Sequence, residues 1–110
     1  GGDIEIYSSK EMRLILERAR QFRADLLPYA AIGGFAGIRP AEILRLDWRE
    51  VDFDSALIEV KASKSKTAGR RHVPISKNLA AWLEPLRKTA GPVCSEARAQ
   101  EQLKLIVEKT

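Results

Sequence analysis

The segment from Asp25 to Ala36 limits the possible folds most strongly, because it has no polar face. Its apolar side chains are Leu26, Leu27, Tyr29, Ala30, Ala31, Ile32 and Phe35. A helix that is apolar on every side is packed by neighbours on every side. Pro28 is tolerated because it falls in the first turn, and Gly37 is the predicted end. The segment therefore predicts a central helix that the rest of the domain surrounds.

Arg39 follows this helix and stands at the start of the next one, predicted over about residues 40–46. Pro40 suits the first helical position because it has no amide hydrogen to leave unpaired. Arg39 is thereby placed beside the free amides and the positive dipole end of that helix, where a phosphate can be held. Glu42 lies one turn on, within reach of the Arg39 side chain. On these residues alone, an ordinary surface arginine braced by Glu42 is the stronger interpretation.

Hydrophobic periodicity predicts the remaining elements. Helices are predicted over about residues 8–23, 25–36, 40–46, 77–89 and 95–109, and strands over about residues 51–53, 57–61 and 71–75. Ser8 and Glu11 have the spacing of a capping box, and Ser95 is the predicted cap of the last helix. The order predicts an α+β fold in one domain over residues 1–110, mainly helical with a small three-stranded antiparallel sheet.

The positive charge of the chain is concentrated in one segment. There are 19 basic and 15 acidic residues, a net charge of +4. Residues 61–72 hold five basic residues and no acid, whereas the rest of the chain has 14 basic residues against 15 acidic ones. This segment is a predicted β-hairpin, with Gly69 supplying a positive φ. A basic hairpin can lie against a nucleic-acid groove. The alternative is a solvated tip that contacts phosphates without chemistry.

Most chemical templates are absent from the sequence. There is no P-loop, GxSxG or HExxH motif, so neither a metal nor another cofactor is expected. Cys94 is the only cysteine, which fits a reducing compartment. His72 is interpreted as a strand residue, and Trp48 and Trp82 as core residues. With no signal-peptide pattern and no long apolar run, a soluble intracellular protein is expected.

Three stretches occur in an order that carries a family resemblance. They read GIRPAEILRL (37–46), DWREVDF (47–53) and SKTAGRRHVPIS (65–76). Together they resemble the tyrosine recombinase (phage integrase) family. There, G-[LI]-R-x-x-E-[LIV]-x-x-L leads through L-x-W-x-D-[IV]-D to a K-T-x-x-x-R-x-[VI]-P-[LI] hairpin. The match covers nearly the whole chain in the right order and spacing, so it is more specific than any one motif.

The resemblance implies a role for each matching residue. Arg39 matches the first catalytic arginine, which binds the scissile phosphate and stabilises its developing charge. Lys66 matches the hairpin lysine, the proton donor to the departing 5′ oxygen, with Lys61 and Lys64 as its competitors. Glu42 matches the acidic residue that braces the arginine region. The other basic residues of the hairpin are expected to bind the DNA backbone: Lys61, Lys64, Arg70 and Arg71.

The resemblance also implies partners and a location. Double-stranded DNA and other recombinase protomers are the expected partners, and no membrane is expected. The expected location is the cytoplasm, for a bacterial or phage-encoded protein that is associated with the nucleoid in use.

The sequence departs from the family pattern at the nucleophile. No His-x-x-Arg pair occurs, and no tyrosine follows Tyr29, whereas in the family both lie after the region matched here. We therefore expect the N-terminal part of a catalytic domain, which alone cannot cleave or rejoin DNA through a 3′-phosphotyrosyl intermediate. Two alternatives remain open. One is a non-catalytic DNA-binding or regulatory module of the same fold, and the other is a helical interaction domain with a basic loop.

Overall fold

A computed structural model describes residues 8–62 and 69–108 of the chain. The helices are α1 (Ser9–Phe22), α2 (Leu27–Ala36), α3 (Pro40–Ile43), α4 (Lys77–Leu83) and α5 (Ala99–Glu108). The strands are β1 (Val51–Asp52), β2 (Leu57–Lys61) and β3 (Arg70–Pro74), which pair antiparallel in the order β1-β2-β3. The described chain is mainly helical with a three-stranded antiparallel sheet, which confirms the predicted fold class.

The first helix, α1, begins with a complete capping box. The Ser8 hydroxyl accepts from the Glu11 amide at 3.2 Å, and a Glu11 carboxylate oxygen accepts from the Ser8 amide at 3.1 Å. These bonds satisfy two amides that a helix start otherwise leaves unpaired. The buried side of α1 consists of Met12, Ile15, Leu16 and Ala19. Through this side α1 packs against α2.

The apolar helix α2 is the centre of the core. Residues 27–33 are all buried, and α1, α3 and α4 pack against the helix. Gly37 ends α2 in the left-handed region, with φ 66° and ψ 23°. Glycine adopts this conformation without the steric penalty of a Cβ atom. The chain therefore turns out of the core two residues before Arg39.

The register of the sheet divides its side chains between two faces. Val60 lies opposite Arg71, and Lys61 lies opposite Arg70. Side chains alternate along a strand, so Arg71 shares a face with Val60, which is fully buried. Lys61 and Arg70 share the outer face. Basic residues that are neighbours in sequence therefore lie on opposite faces of the sheet.

The helix after Arg39 is shorter than predicted. α3 ends at Ile43 rather than near residue 46, because the following backbone pairs with a distant segment. The Leu46 carbonyl accepts from the Val93 amide at 3.0 Å, and the Trp48 amide donates to the Gly91 carbonyl at 2.8 Å. Those bonds hold an extended chain, which a continuing helix would not allow.

The last two helices also differ from the prediction. α4 ends at Leu83 and passes into a 3₁₀ turn, Glu84–Leu86, because Pro85 has no amide with which to continue an α-helix. α5 begins at Ala99, so the assignment of Ser95 as its cap is wrong. The segment before the helix is a turn, in which the Glu96 carboxylate accepts from the Arg98 amide at 3.1 Å and the Glu96 carbonyl accepts from the Ala99 amide at 3.1 Å. The predicted helix over residues 25–36 likewise begins with a 3₁₀ turn, Ala24–Leu26.

Substitution of Gly37 tests the left-handed backbone turn that leads from the core to Arg39. Gly37→Ala should lower the free energy of unfolding by about 1–2 kcal/mol, because an L side chain is strained at this φ. Gly37→Asn should cost less, since asparagine tolerates the left-handed region better. Urea unfolding of the two variants and the wild type measures this. Equal stability of all three would contradict the assigned backbone conformation.

Candidate nucleic-acid interface

Arg39 is held by its backbone and leaves its side chain exposed. It is the N-cap of α3, with φ −66° and ψ 146°, and the neighbouring Ile38 is buried in the core. The residue itself is exposed. Within residues 8–62 and 69–108, no carboxylate forms an ion pair with its guanidinium. Arg39 therefore presents an uncompensated cation on a rigid base beside a helix start.

Glu42 connects the Arg39 region to the sheet. One of its oxygens accepts from the Arg39 backbone amide at 3.2 Å. Both oxygens accept from Arg71, at 2.6 Å from Nη1 and 3.0 Å from Nη2. The sequence predicted that Glu42 braces the Arg39 region, within reach of the Arg39 side chain. Its contact with Arg39 is through the backbone, and the guanidinium that it binds is that of Arg71.

The Glu42–Arg71 pair is buried on one side and open on the other. Glu42 is 5% exposed, whereas the Arg71 side chain is 45% exposed. The hydrogen bonds from Arg71 lower the pKa of the Glu42 carboxyl, although burial opposes this shift. The same bonds raise the pKa of Arg71. The carboxylate therefore stays ionised, and its charge is neutralised where water has little access.

Arg45 is a residue of this region that the sequence analysis did not single out. Its Nη2 atom donates to the carbonyls of Lys61 and Ala62, at 3.2 and 3.1 Å. These carbonyls lie at the end of β2. Arg45 stands three residues after Glu42, and this spacing is the sequence signal that could have paired the two on one side of the helix.

The predicted backbone-binding residues Lys61 and Arg70 form ion pairs on the outer face of the sheet. Lys61 Nζ lies 3.2 Å from a Glu50 oxygen, and Arg70 Nη1 lies 3.3 Å from a Glu59 oxygen. His72 Nε2 is 4.0 Å from the other Glu59 oxygen. His72 is thus an exposed strand residue. Both predicted DNA contacts belong to a surface of mixed charge, separate from the inner face with Arg71.

Two of the predicted site residues, Lys64 and Lys66, lie outside the described residues. The described strand ends that flank them are joined by a hydrogen bond from the Ala62 amide to the Gly69 carbonyl at 3.0 Å. This bond continues the pairing of β2 with β3. The structure therefore brings together Arg39, Glu42 and Arg71, places Lys61 and Arg70 on the opposite face, and leaves the role of Lys66 a prediction.

The remaining chemistry-bearing side chains are structural. Tyr29 is 1% exposed and donates to the Gln100 side-chain carbonyl at 2.7 Å; burial raises its pKa to about 12. Trp48 is buried, and Trp82 is partly buried against the core. Cys94 is a buried free thiol. In the described part of the chain, no three potential ligands are grouped to hold a metal, and no helix is long and apolar enough to cross a membrane.

Comparisons with known proteins agree on the kind of domain. The Phage integrase family model matches residues 8–107, so the chain belongs to this family. No curated protein matches it. Its fold is similar to the crystal structure of XerA recombinase, with a TM-score of 0.67, 15% sequence identity and coverage of 94% of this chain. The chain spans 40% of the length of that recombinase chain.

The Glu42–Arg71 pair predicts a pH dependence of stability. The folded-state pKa of Glu42 is lowered, so its contribution is present above the unfolded pKa and is lost as the pH falls below about 5. Glu42→Gln should lower the free energy of unfolding by about 2 kcal/mol at neutral pH. The difference in the free energy of unfolding between this variant and the wild type should then become smaller at acid pH. Denaturant unfolding at several pH values measures it.

Glu84→Gln is the matched control for this prediction. Glu84 pairs with Arg87 at 2.9 Å, with both side chains about half exposed, and exposed pairs contribute about 0–1 kcal/mol. This control should follow the wild type closely over the same pH range. A constant gap between Glu42→Gln and the wild type from neutral to acid pH would contradict the assigned pair.

Proposed function

We propose that the chain forms part of the catalytic domain of a site-specific DNA recombinase, in which Arg39 binds the scissile phosphate of duplex DNA. The observation that carries the proposal is the exposed Arg39 guanidinium, which stands at a helix N-cap without a carboxylate partner among the described residues. Neighbouring basic side chains are already neutralised by Glu42, Glu50 and Glu59. Among the described residues, Arg39 is thus an exposed cation that has no carboxylate partner and can bind an anion.

The proposed reaction is an exchange of phosphodiester bonds through a covalent link between enzyme and DNA. It needs a cation on the non-bridging oxygens, an acid for the leaving oxygen and a nucleophile. Arg39 would supply the cation, as a planar fork that matches two phosphate oxygens. Lys66 is proposed as the acid that protonates the 5′ oxygen. Membership of the phage integrase family supports this division of roles.

Tyr29, the tyrosine among the described residues, is not placed to act as the nucleophile. Tyr29 is buried and donates its hydroxyl hydrogen to Gln100, so it is not available to attack a phosphate. We therefore propose that the chain alone binds DNA but does not cleave it. This burial also favours the second candidate function, a DNA-binding or regulatory module of the same fold without chemistry of its own.

The sequence predicts contacts with the DNA backbone from Lys61, Lys64, Arg70 and Arg71, and the ion pairs of the described residues decide which of these can be made easily. The Arg70–Glu59 pair is partly exposed, at 55% and 33% of the two side chains, and such pairs contribute about 0–1 kcal/mol, so a phosphate can replace this carboxylate at little cost. Lys61 and Arg71 are held more firmly, because their partners Glu50 and Glu42 are only 11% and 5% exposed and releasing either would leave a buried carboxylate unpaired. Only the N–H groups of Arg71 that Glu42 does not occupy are available to a phosphate.

A titration with duplex DNA at several salt concentrations tests the role of Arg39. Arg39→Ala should raise Kd and make the slope of log K against log salt shallower by about 0.9, the loss of one phosphate contact. Arg13→Ala is the matched control, since Arg13 is exposed on α1, and it should retain the wild-type slope. Identical slopes for Arg39→Ala and the wild type would contradict the phosphate role.

A covalent trapping assay tests the absence of chemistry in this chain. A nicked duplex, from which the product strand is lost after cleavage, traps any phosphotyrosyl intermediate of a recombinase. We expect no DNA-linked protein after denaturing electrophoresis of the wild-type chain. A linked species that is lost in Tyr29→Phe would show that Tyr29 reaches a phosphate and would refute the proposed inactivity.

A further inference from the structure

The segment made of the short helix α3 and the following Arg45 binds both strands of the predicted hairpin. The two paired strands β2 and β3 are called the arm here. Glu42, within α3, binds the Arg71 side chain of β3, with its two oxygens 2.6 and 3.0 Å from the guanidinium nitrogens. Arg45, just after α3, binds the Lys61 and Ala62 carbonyls at the end of β2. One segment, which begins with Arg39 at the helix N-cap, thus contacts each strand of the arm through a different side chain.

The two contacts meet the arm at the same level. Arg71 lies opposite Val60, and the adjacent Lys61 lies opposite Arg70. The Ala62 amide closes the next rung by donating to the Gly69 carbonyl at 3.0 Å. A rotation or slide of the arm against α3 would therefore break the bonds of Glu42 and Arg45 together.

The contact of Glu42 is not easily exchanged for water or a ligand. Glu42 is 5% exposed, and removing one partner of a buried ion pair leaves an uncompensated charge. The Arg45 Nε atom is buried without a hydrogen-bond partner. The bonds of its Nη2 atom to the two carbonyls are what hold this side chain in place. Both contacts hold the arm in a preset position rather than offering groups to a ligand.

We propose that Arg71 and Arg45 are positioning residues that fix the arm relative to Arg39, and that Arg71 keeps its bond to Glu42 when DNA is bound. The part of this inference that concerns DNA rests on the proposed function. It departs from the simpler assignment of Arg71 as a backbone ligand. A phosphate ligand would gain from the loss of Glu42, whereas a positioning residue would lose its anchor.

The direction in which Glu42→Gln changes the Kd for DNA distinguishes a positioning role of Arg71 from a role as phosphate ligand. Glu42→Gln and Glu59→Gln each remove one negative charge from beside an arginine of β3. If Arg71 positions the arm, Glu42→Gln should raise the Kd for duplex DNA about fivefold while Glu59→Gln lowers it about twofold. If Arg71 is a phosphate ligand, both variants bind more tightly. Tighter binding by Glu42→Gln overturns the proposal, and circular dichroism shows that each variant is folded at the assay temperature.

Hydrogen exchange of the chain without DNA tests whether Arg45 holds the arm against α3. Arg45→Met keeps the apolar stem and removes the fork, so exchange of the Ala62 amide should be about tenfold faster than in the wild type. The amides of α2 should keep their exchange rates, and Arg13→Met should change neither set. Unchanged protection of Ala62 overturns the proposal. If the wild type fails to bind DNA, the proposed function fails, while this measurement still decides whether α3 holds the arm.

Discussion

The ion pair between Glu42 and Arg71 is the interaction on which the site depends. A carboxylate that is 5% exposed is expensive to bury unless its oxygens are satisfied. Here Arg71 and the Arg39 amide satisfy them at 2.6–3.2 Å. The pair joins α3 to β3 across 29 residues of sequence. Because the same carboxylate also holds the Arg39 backbone, the position of Arg39 and that of the arm are set by one group.

The core supplies the rigidity that this arrangement needs. α2 is packed by three other helices and ends at Gly37, whose left-handed backbone turns the chain out of the core. Ile38 is buried at the following position, and Arg39 is exposed directly after it. A side chain that must meet a phosphate without reorganising benefits from such a base. If Arg39 binds a phosphate as proposed, the apolar segment before it serves that function as well as the core.

The elements that local sequence patterns determine could be predicted from the sequence. The apolar α2, the Ser8–Glu11 capping box and the alternating β2 follow from periodicity and capping rules. The start of α5 was predicted too early, because the burial of Val93 and Cys94 before it depends on tertiary packing. The partner of the Glu42 side chain, Arg71, could not be predicted either. Which arginine a carboxylate binds is decided by the strand register, and no local pattern of Glu42 contains that information.

The central claim is that Arg39 takes the phosphate while Arg71 stays with Glu42. It is tested most directly by the arginine Nε–Hε signals in NMR spectra of the full chain, recorded with increasing amounts of duplex DNA. The account predicts a large shift of the Arg39 signal and a nearly unchanged Arg71 signal. A shifted Arg71 signal beside an unchanged Arg39 signal would contradict it.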